Sequence, residues 1–455
     1  MASSTKLFST MTVLFLSTVA LRTVAGEETT LTTFRFDNDS GVSETVTTAP
    51  ALDPSNAFFQ SLGTNDRACI TCHQPADGWT VTPSSIRRRF QKTNGFDPIF
   101  RLNDGAVCPT ADVSTLNAQR RAYELLLKKG LIRVALPIPS NAEFSLVDVD
   151  DPYNCTGAAL ALFRRPLPST NLKFLSGIMW DGRESHPDKT FQENLTQQAI
   201  DATLGHAEAG LPPTADQLKQ IVDFETALFA AQVEDRDAGP LDADRAFGGA
   251  SAVSQQPFFI GINDPIGLNP TGAPFDPRAM TAFTAWLRLR AGGQQTQEAR
   301  RAIARGQELF NTRPITITGV GGLNDALGAP SIAGTCTTCH DTPNVGNHSV
   351  AMPLNIGISD EANRTADLPL YTLVCSTTGE IFRTSDPGRA MITGKCADIG
   401  KVKGPILRGL AARAPYFHNG SAATLEEVVG FYDRRFTLRL TAREKADLVA
   451  FLRAL

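Results

Sequence analysis

Apolar residues recur at helical spacing in a few well-bounded windows of this chain, separated by long stretches without a regular period. Thr115–Lys129 (TLNAQRRAYELLLKK) repeats one apolar face and stops at Gly130, where a left-handed residue ends a helix. Pro212-Pro213 leads into Thr214-Ala215-Asp216-Gln217, a capping box opening a helix whose Leu218, Ile221, Val222, Leu228 and Phe229 share a face. Thr296–Phe310 (TQEARRAIARGQELF) predicts another helix, and Thr441–Leu455, headed by the box Thr441-Ala442-Arg443-Glu444, predicts the last. Between Arg236 and Gly293 the pattern loosens into Gly, Pro, Asp and Asn, which reads as a connector with one helix near Pro277–Leu289. Glu28–Pro50, rich in Thr, Ser, Glu and Asp, reads as a solvated lead-in, with ordered structure starting near Leu52. The chain opens with Lys6, the apolar run Thr12–Leu21 and the small residues Thr23-Val24-Ala25-Gly26, the layout of a cleaved secretory signal. A run of about ten apolar residues is too short to span a hydrocarbon core that needs about 20.

A chain of 455 residues exceeds what one hydrophobic core usually serves, so two domains and a connector are expected. The expected divisions are a signal peptide (1–26), a flexible lead-in (27–50), an N-terminal unit (51–235), a connector (236–295) and a C-terminal unit (296–455). With 43 basic and 47 acidic residues and a net charge of -4, the chain lacks the basic excess of a nucleic-acid binder. No later segment is long and apolar enough to span a membrane, so no transmembrane anchor is expected and the protein is placed in the periplasm.

The cysteines carry the chemistry. Four of the eight form two copies of one motif, Cys69-Ile70-Thr71-Cys72-His73 and Cys336-Thr337-Thr338-Cys339-His340. In C-x-x-C-H the two thiols add to the vinyl groups of a haem, and the adjacent imidazole meets the iron from the same turn. Two covalently bound haem c groups follow, attached through Cys69, Cys72, Cys336 and Cys339, with His73 and His340 as proximal iron ligands. Half a zinc site or a redox dithiol is the competing use of C-x-x-C, but two complete pentapeptides in an exported chain argue for haem. An opening helix, a haem motif and a closing amphipathic helix recur in both halves; Asn56–Leu62 is the first opener. The expected fold class is therefore mainly α: two tandem c-type cytochrome domains joined by an irregular connector. The remaining Cys108, Cys155, Cys375 and Cys396 suit one disulfide per half, with the pairing left open. No His or Met lies between His73 and Met179, so the first haem has no nearby sixth ligand and is expected to be open.

Trp180-Asp181-Gly182-Arg183, Ala414-Pro415-Tyr416-Phe417-His418-Asn419-Gly420-Ser421 and Ala423-Thr424-Leu425-Glu426-Glu427-Val428-Val429, with both haem motifs in order, resemble the bacterial di-haem cytochrome c peroxidases and MauG-type di-haem oxidases. The resemblance covers most of Phe58–Leu455. It implies an oxidoreductase that reduces hydrogen peroxide at the first haem, with electrons arriving through the second from a small periplasmic c-type cytochrome or cupredoxin. It implies Trp180 as the aromatic relay between the haems, and Gln198 and Glu208 as the distal glutamine and the acid–base carboxylate; His206 is a second acid–base candidate. Fourteen residues after His418 the peroxidases have a methionine ligand for the second haem; here stands Tyr432, as in the MauG-type enzymes, with Met391 and Met352 as rival ligands. Leu425, Val428, Val429 and Tyr432 share one helical face. The histidine that caps the peroxide-binding haem in many members is missing, which implies a site ready without prior reduction. The inter-domain calcium asparagine of the family is replaced by Arg165, which puts calcium in question. His348 is expected to bond a haem propionate or a loop carbonyl, and His186 to be exposed. A MauG-type oxidase acting on a partner protein and a non-catalytic di-haem electron carrier are the alternatives.

Overall fold

The computed structural model describes residues 32–49, 53–155, 157, 159–290 and 294–455; the expected signal segment lies outside them. Residues 32–47 form an antiparallel hairpin, Thr32–Asn38 with Gly41–Thr47, rather than a solvated lead-in. Phe34 and Phe36 alternate with polar residues, and Ser43–Thr47 are buried, because the second strand pairs with Leu228–Asp235 deep in the N-terminal unit. That partner strand corrects a second expectation. Leu228 and Phe229 do not continue the helix of Thr214; the helix runs Ala215–Thr226, and the buried stretch LFAAQVED turns into sheet. A short apolar run after a helix carries no period that separates the two states.

The fold is therefore not mainly α. Among the described residues, strands build sheets of four, three, two and two members. The three-stranded sheet joins the halves: Phe144–Asp150 pairs with Leu370–Cys375, which pairs with Ile381–Thr384. The disulfides, Cys108–Cys155 and Cys375–Cys396, fall one in each half, with sequence separations of 47 and 21.

The strongest helical signals hold. Thr214 and Thr441 make reciprocal capping boxes with Gln217 and Glu444, and Thr424 caps Leu425–Arg435 through the Glu427 N–H. The Thr115 helix breaks at Tyr123 into Leu116–Ala122 and Glu124–Lys129 and ends at left-handed Gly130. In the C-terminal unit Gln295–Thr312 crosses Ala442–Arg453, and Phe283, Trp286, Ile303, Phe310 and Phe451 pack between them. The connector's expected helix is only a 3-10 turn, Thr284–Arg288, and the N-terminal opener is another, Ala57–Phe59. No helix among the described residues is long and apolar enough to cross a membrane.

Candidate functional site

Both C-x-x-C-H segments fold into the same single turn. In the first, the Thr71 hydroxyl accepts the Ala68 N–H at 3.0 Å and the His73 N–H reaches Cys69 O at 3.0 Å. In the second, Thr338 accepts the Thr335 N–H at 3.0 Å and the His340 N–H reaches Cys336 O at 3.2 Å. Each imidazole then meets the carbonyl six residues downstream: His73 Nδ1 lies 3.0 Å from Trp79 O, and His340 Nδ1 2.6 Å from Gly346 O. A carbonyl can only accept, so Nδ1 carries the proton and Nε2 keeps its lone pair, the tautomer of a metal-binding histidine. Burial holds His73 neutral down to about 4 and lowers His340 as well. The four motif cysteines are unbridged, whereas the other four form disulfides. Burial pushes the thiols of Cys336 and Cys339 up to about 12 and raises Cys69 and Cys72, which disfavours the thiolate that a zinc site or a redox dithiol needs.

Each turn opens onto its own cavity. The first carries Cys69, Cys72 and His73, and the second carries Cys336, Cys339 and His340. Pro166, Leu167 and Pro168 line both cavities and form the wall between them. The second cavity is largely apolar but holds Lys403, Arg165 and Arg413, each with its pKa lowered by burial, Lys403 to about 7. Cations withdrawn from water and facing a cavity call for anions there, and the two propionates of a haem supply them. The residues thus fit a haem at each turn.

The sequence-derived candidates divide between the cavities. Gln198 and His206 line the first, with the motif residues. Glu208 does not. It is exposed in a left-handed conformation (φ 53°), with its carboxylate 3.2 Å from the Asn65 amide. Trp180 lines the second cavity while its neighbour Met179 lines the first, so this dipeptide straddles the wall. The indole N–H donates to Arg165 O at 2.8 Å, and the ring lies 5.9 Å from His418. Tyr432 faces the second cavity, its phenol pKa raised by burial and by the thiols of Cys339 and Cys336. Met391 instead packs with Phe144 and Tyr371 in the core over the three-stranded sheet, and Met352 packs on the C-terminal core; neither lines a cavity. The Arg165 guanidinium donates to Lys129 O, Val81 O and Arg413 O. His348 lines neither cavity and pairs with Asp341.

The RoxA-like, cytochrome c-like family pattern matches residues 402–438, the stretch holding His418 and Tyr432. A cytochrome-c peroxidase, IdrP2, of Denitromonas iodatirespirans is 35% identical over 133 residues, 27% of this chain and 36% of that protein. IdrP1 of a Pseudomonas species is 33% identical over 140 residues, 26% of this chain and 36% of its own. This chain is related to the cytochrome-c peroxidases. It spans about a third of the length of these curated relatives. A solved MauG-like protein associated with microbial copper homeostasis aligns over 88% of this chain and 86% of its own, at 17% identity and a TM-score of 0.40.

Three residues of the first cavity escape a reading of the sequence. Asp104 accepts His206 Nδ1 at 2.5 Å and pairs with Arg67 at 2.6 Å. Burial works against its ionisation, but His206 and Arg67 outweigh it and keep the carboxyl below its ordinary value. Asp104 comes from an aperiodic loop and Arg67 from the segment before the first motif, so only folding brings them together. Glu225 ends the Ala215 helix facing the cavity, and burial raises its carboxyl to about 8.

Proposed function

We propose that this protein is an exported di-haem c-type peroxidase, reducing hydrogen peroxide to water at the first haem with electrons delivered through the second from a small periplasmic cytochrome or cupredoxin. The observation that carries the reading is the pair of matching C-x-x-C-H turns, each facing its own cavity, with the Met179-Trp180 dipeptide in the wall between. Haem c, when bound, supplies the iron that takes up peroxide and the redox equivalents that reduce it. The chain does the rest. His73 and His340 present Nε2 as proximal ligands because their Nδ1 protons are committed to backbone carbonyls. Trp180, anchored by its indole N–H, offers an aromatic step from one cavity toward the other.

For the proton transfer that cleaves the O–O bond, the arrangement favours His206 over Glu208. His206 faces the first cavity, and Asp104 holds its Nδ1, leaving Nε2 to take a proton from one peroxide oxygen and return it to the other. Gln198 offers an amide to orient the peroxide. His206→Ala is expected to lower peroxide turnover with a reduced small c-type cytochrome by about 10²–10⁴-fold, and Glu208→Gln by less than about threefold. The reverse ranking would return the acid–base role to Glu208.

Tyr432 on the second cavity favours a second reading, a MauG-type oxidase that withdraws electrons from a partner protein. Electron paramagnetic resonance of the oxidised protein tests the common ground. A high-spin ferric signal lost on adding peroxide, with a low-spin signal altered by Tyr432→Met, is expected. Two low-spin signals indifferent to peroxide would make the protein an electron carrier. Fast turnover of the small cytochrome then marks the peroxidase, and slow turnover with a persistent oxidised state marks the oxidase.

A further inference from the structure

Beside the second motif, outside both cavities, lies a cluster that the peroxidase reading does not use. Asp264, Asp341 and His348 are each 2% exposed or less, and one ligand atom from each lies within 4.8 Å of the others. A loop positions Asp264: Gly261 N–H bonds Ser349 O at 3.1 Å, and the Asn263 amide bonds Asp341 O at 3.1 Å. Asp264 Oδ2 is committed to the N–H groups of Ile266 and Leu268 at 3.1 and 2.7 Å. Its Oδ1 is buried without a hydrogen-bond partner, and so is His348 Nε2. Asp341 accepts Ser349 N–H at 2.7 Å and lies 3.1 Å from His348 Nδ1.

The charge balance is incomplete. Among the described residues neither carboxylate is ion-paired with a lysine or arginine; Asp341 meets only His348, and Asp264 has no ionic partner. Even a protonated His348 leaves one negative charge uncompensated in a site shut off from water. Buried charges of this kind are paired or bind a metal. A divalent cation with neutral His348 brings the sum to zero and gives Asp264 Oδ1 the partner it lacks.

We propose that Asp264, Asp341 and His348 form a binding site for one divalent first-row cation of the zinc or manganese type. Two carboxylates and an imidazole suit such ions, whereas calcium takes oxygen ligands alone. A cation bonded at about 2.1 Å to each ligand spans ligand pairs up to about 4.2 Å apart, so the cluster closes on it by about half an ångström. The site ties the 261–268 loop to Asp341, the residue next to the proximal His340, and so fixes the segment that carries the second haem's ligand.

The test uses the haem-loaded full-length protein, dialysed against EDTA, titrated with Zn²⁺ and separately with Mn²⁺, desalted and analysed by plasma mass spectrometry. One zinc or manganese per chain beyond the haem iron is expected, with at least tenfold weaker retention in Asp264→Asn and in His348→Gln. A wild-type protein that retains neither ion overturns the proposal whatever the variants do. So does retention by a correctly folded Asp264→Asn variant equal to that of the wild type.

Discussion

Glu225 shows how one residue's surroundings invert its ordinary behaviour. Its helix carries it into the first cavity, where burial holds the carboxyl at about 8 against an ordinary 4.5. The folded protein therefore keeps a proton that the unfolded chain releases between those two values, and stability falls as the pH rises through that window. Glu225→Gln removes the dependence: urea unfolding at pH 5 and pH 8 is expected to show the variant gaining on the order of a few kcal/mol over the wild type at the higher pH only. Parallel stabilities at the two pH values would mean that Glu225 is ionised in the fold. At this scale the two C-x-x-C-H turns were legible, because each motif occupies five consecutive positions. Asp104 was not, because its partner His206 is 102 residues away.

The helix pair of the C-terminal unit rests on a glycine inside a helix. A methyl group at Gly306 would lie 1.9 Å from Asp447 O and 2.7 Å from the Phe451 Cβ, so Gln295–Thr312 and Ala442–Arg453 touch backbone to backbone there. Arg305 locks the same contact, its Nε and Nη2 donating to the Asp447 carboxylate at 2.8 and 2.9 Å. Alanine favours an isolated helix by about 1 kcal/mol over glycine. In this contact Gly306→Ala is expected instead to lower the unfolding free energy by about 1–3 kcal/mol, through overpacking, read as a lower denaturant midpoint with the helical circular dichroism retained. An unchanged or higher midpoint would show that the helices separate freely. Element boundaries set by capping boxes were legible, since a cap and its partner sit three residues apart. The strands were not: the exposed alternation of Thr32–Asn38 and the apolar Leu228–Asp235 make sense only when the two are linked through Gly41–Thr47.

Across the whole molecule the halves are held by buried charge. Arg164, on a strand of the N-terminal half, donates to both oxygens of Asp386 in the C-terminal half at 2.7 and 2.9 Å and to Asp181 at 2.5 Å. Burial opposes both charged carboxylates, and Arg164 reverses it, so each stays below its ordinary value. Asp386 also lies 3.6 Å from His418, a neighbour of Trp180, which ties this ion cluster to the wall between the cavities. Arg164→Leu leaves the buried Asp386 without a guanidinium and Asp181 with Arg183 alone, and is expected to cost about 3–5 kcal/mol. Calorimetry should show it as a lower melting temperature; an unshifted melt would mean that the two acids find other partners.

The sequence by itself determined the two C-x-x-C-H motifs, the capped helices and the division of the disulfides between the halves, since each depends on residues close in the chain or on the chemistry of a motif. Only the tertiary structure decided that the fold is a mixture of helix and sheet, that Asp104 orients His206, that Glu208 lies outside the first cavity and that Tyr432, not Met391, faces the second. Those outcomes depend on which distant segments meet, and strand pairing and burial are properties of the meeting rather than of either segment.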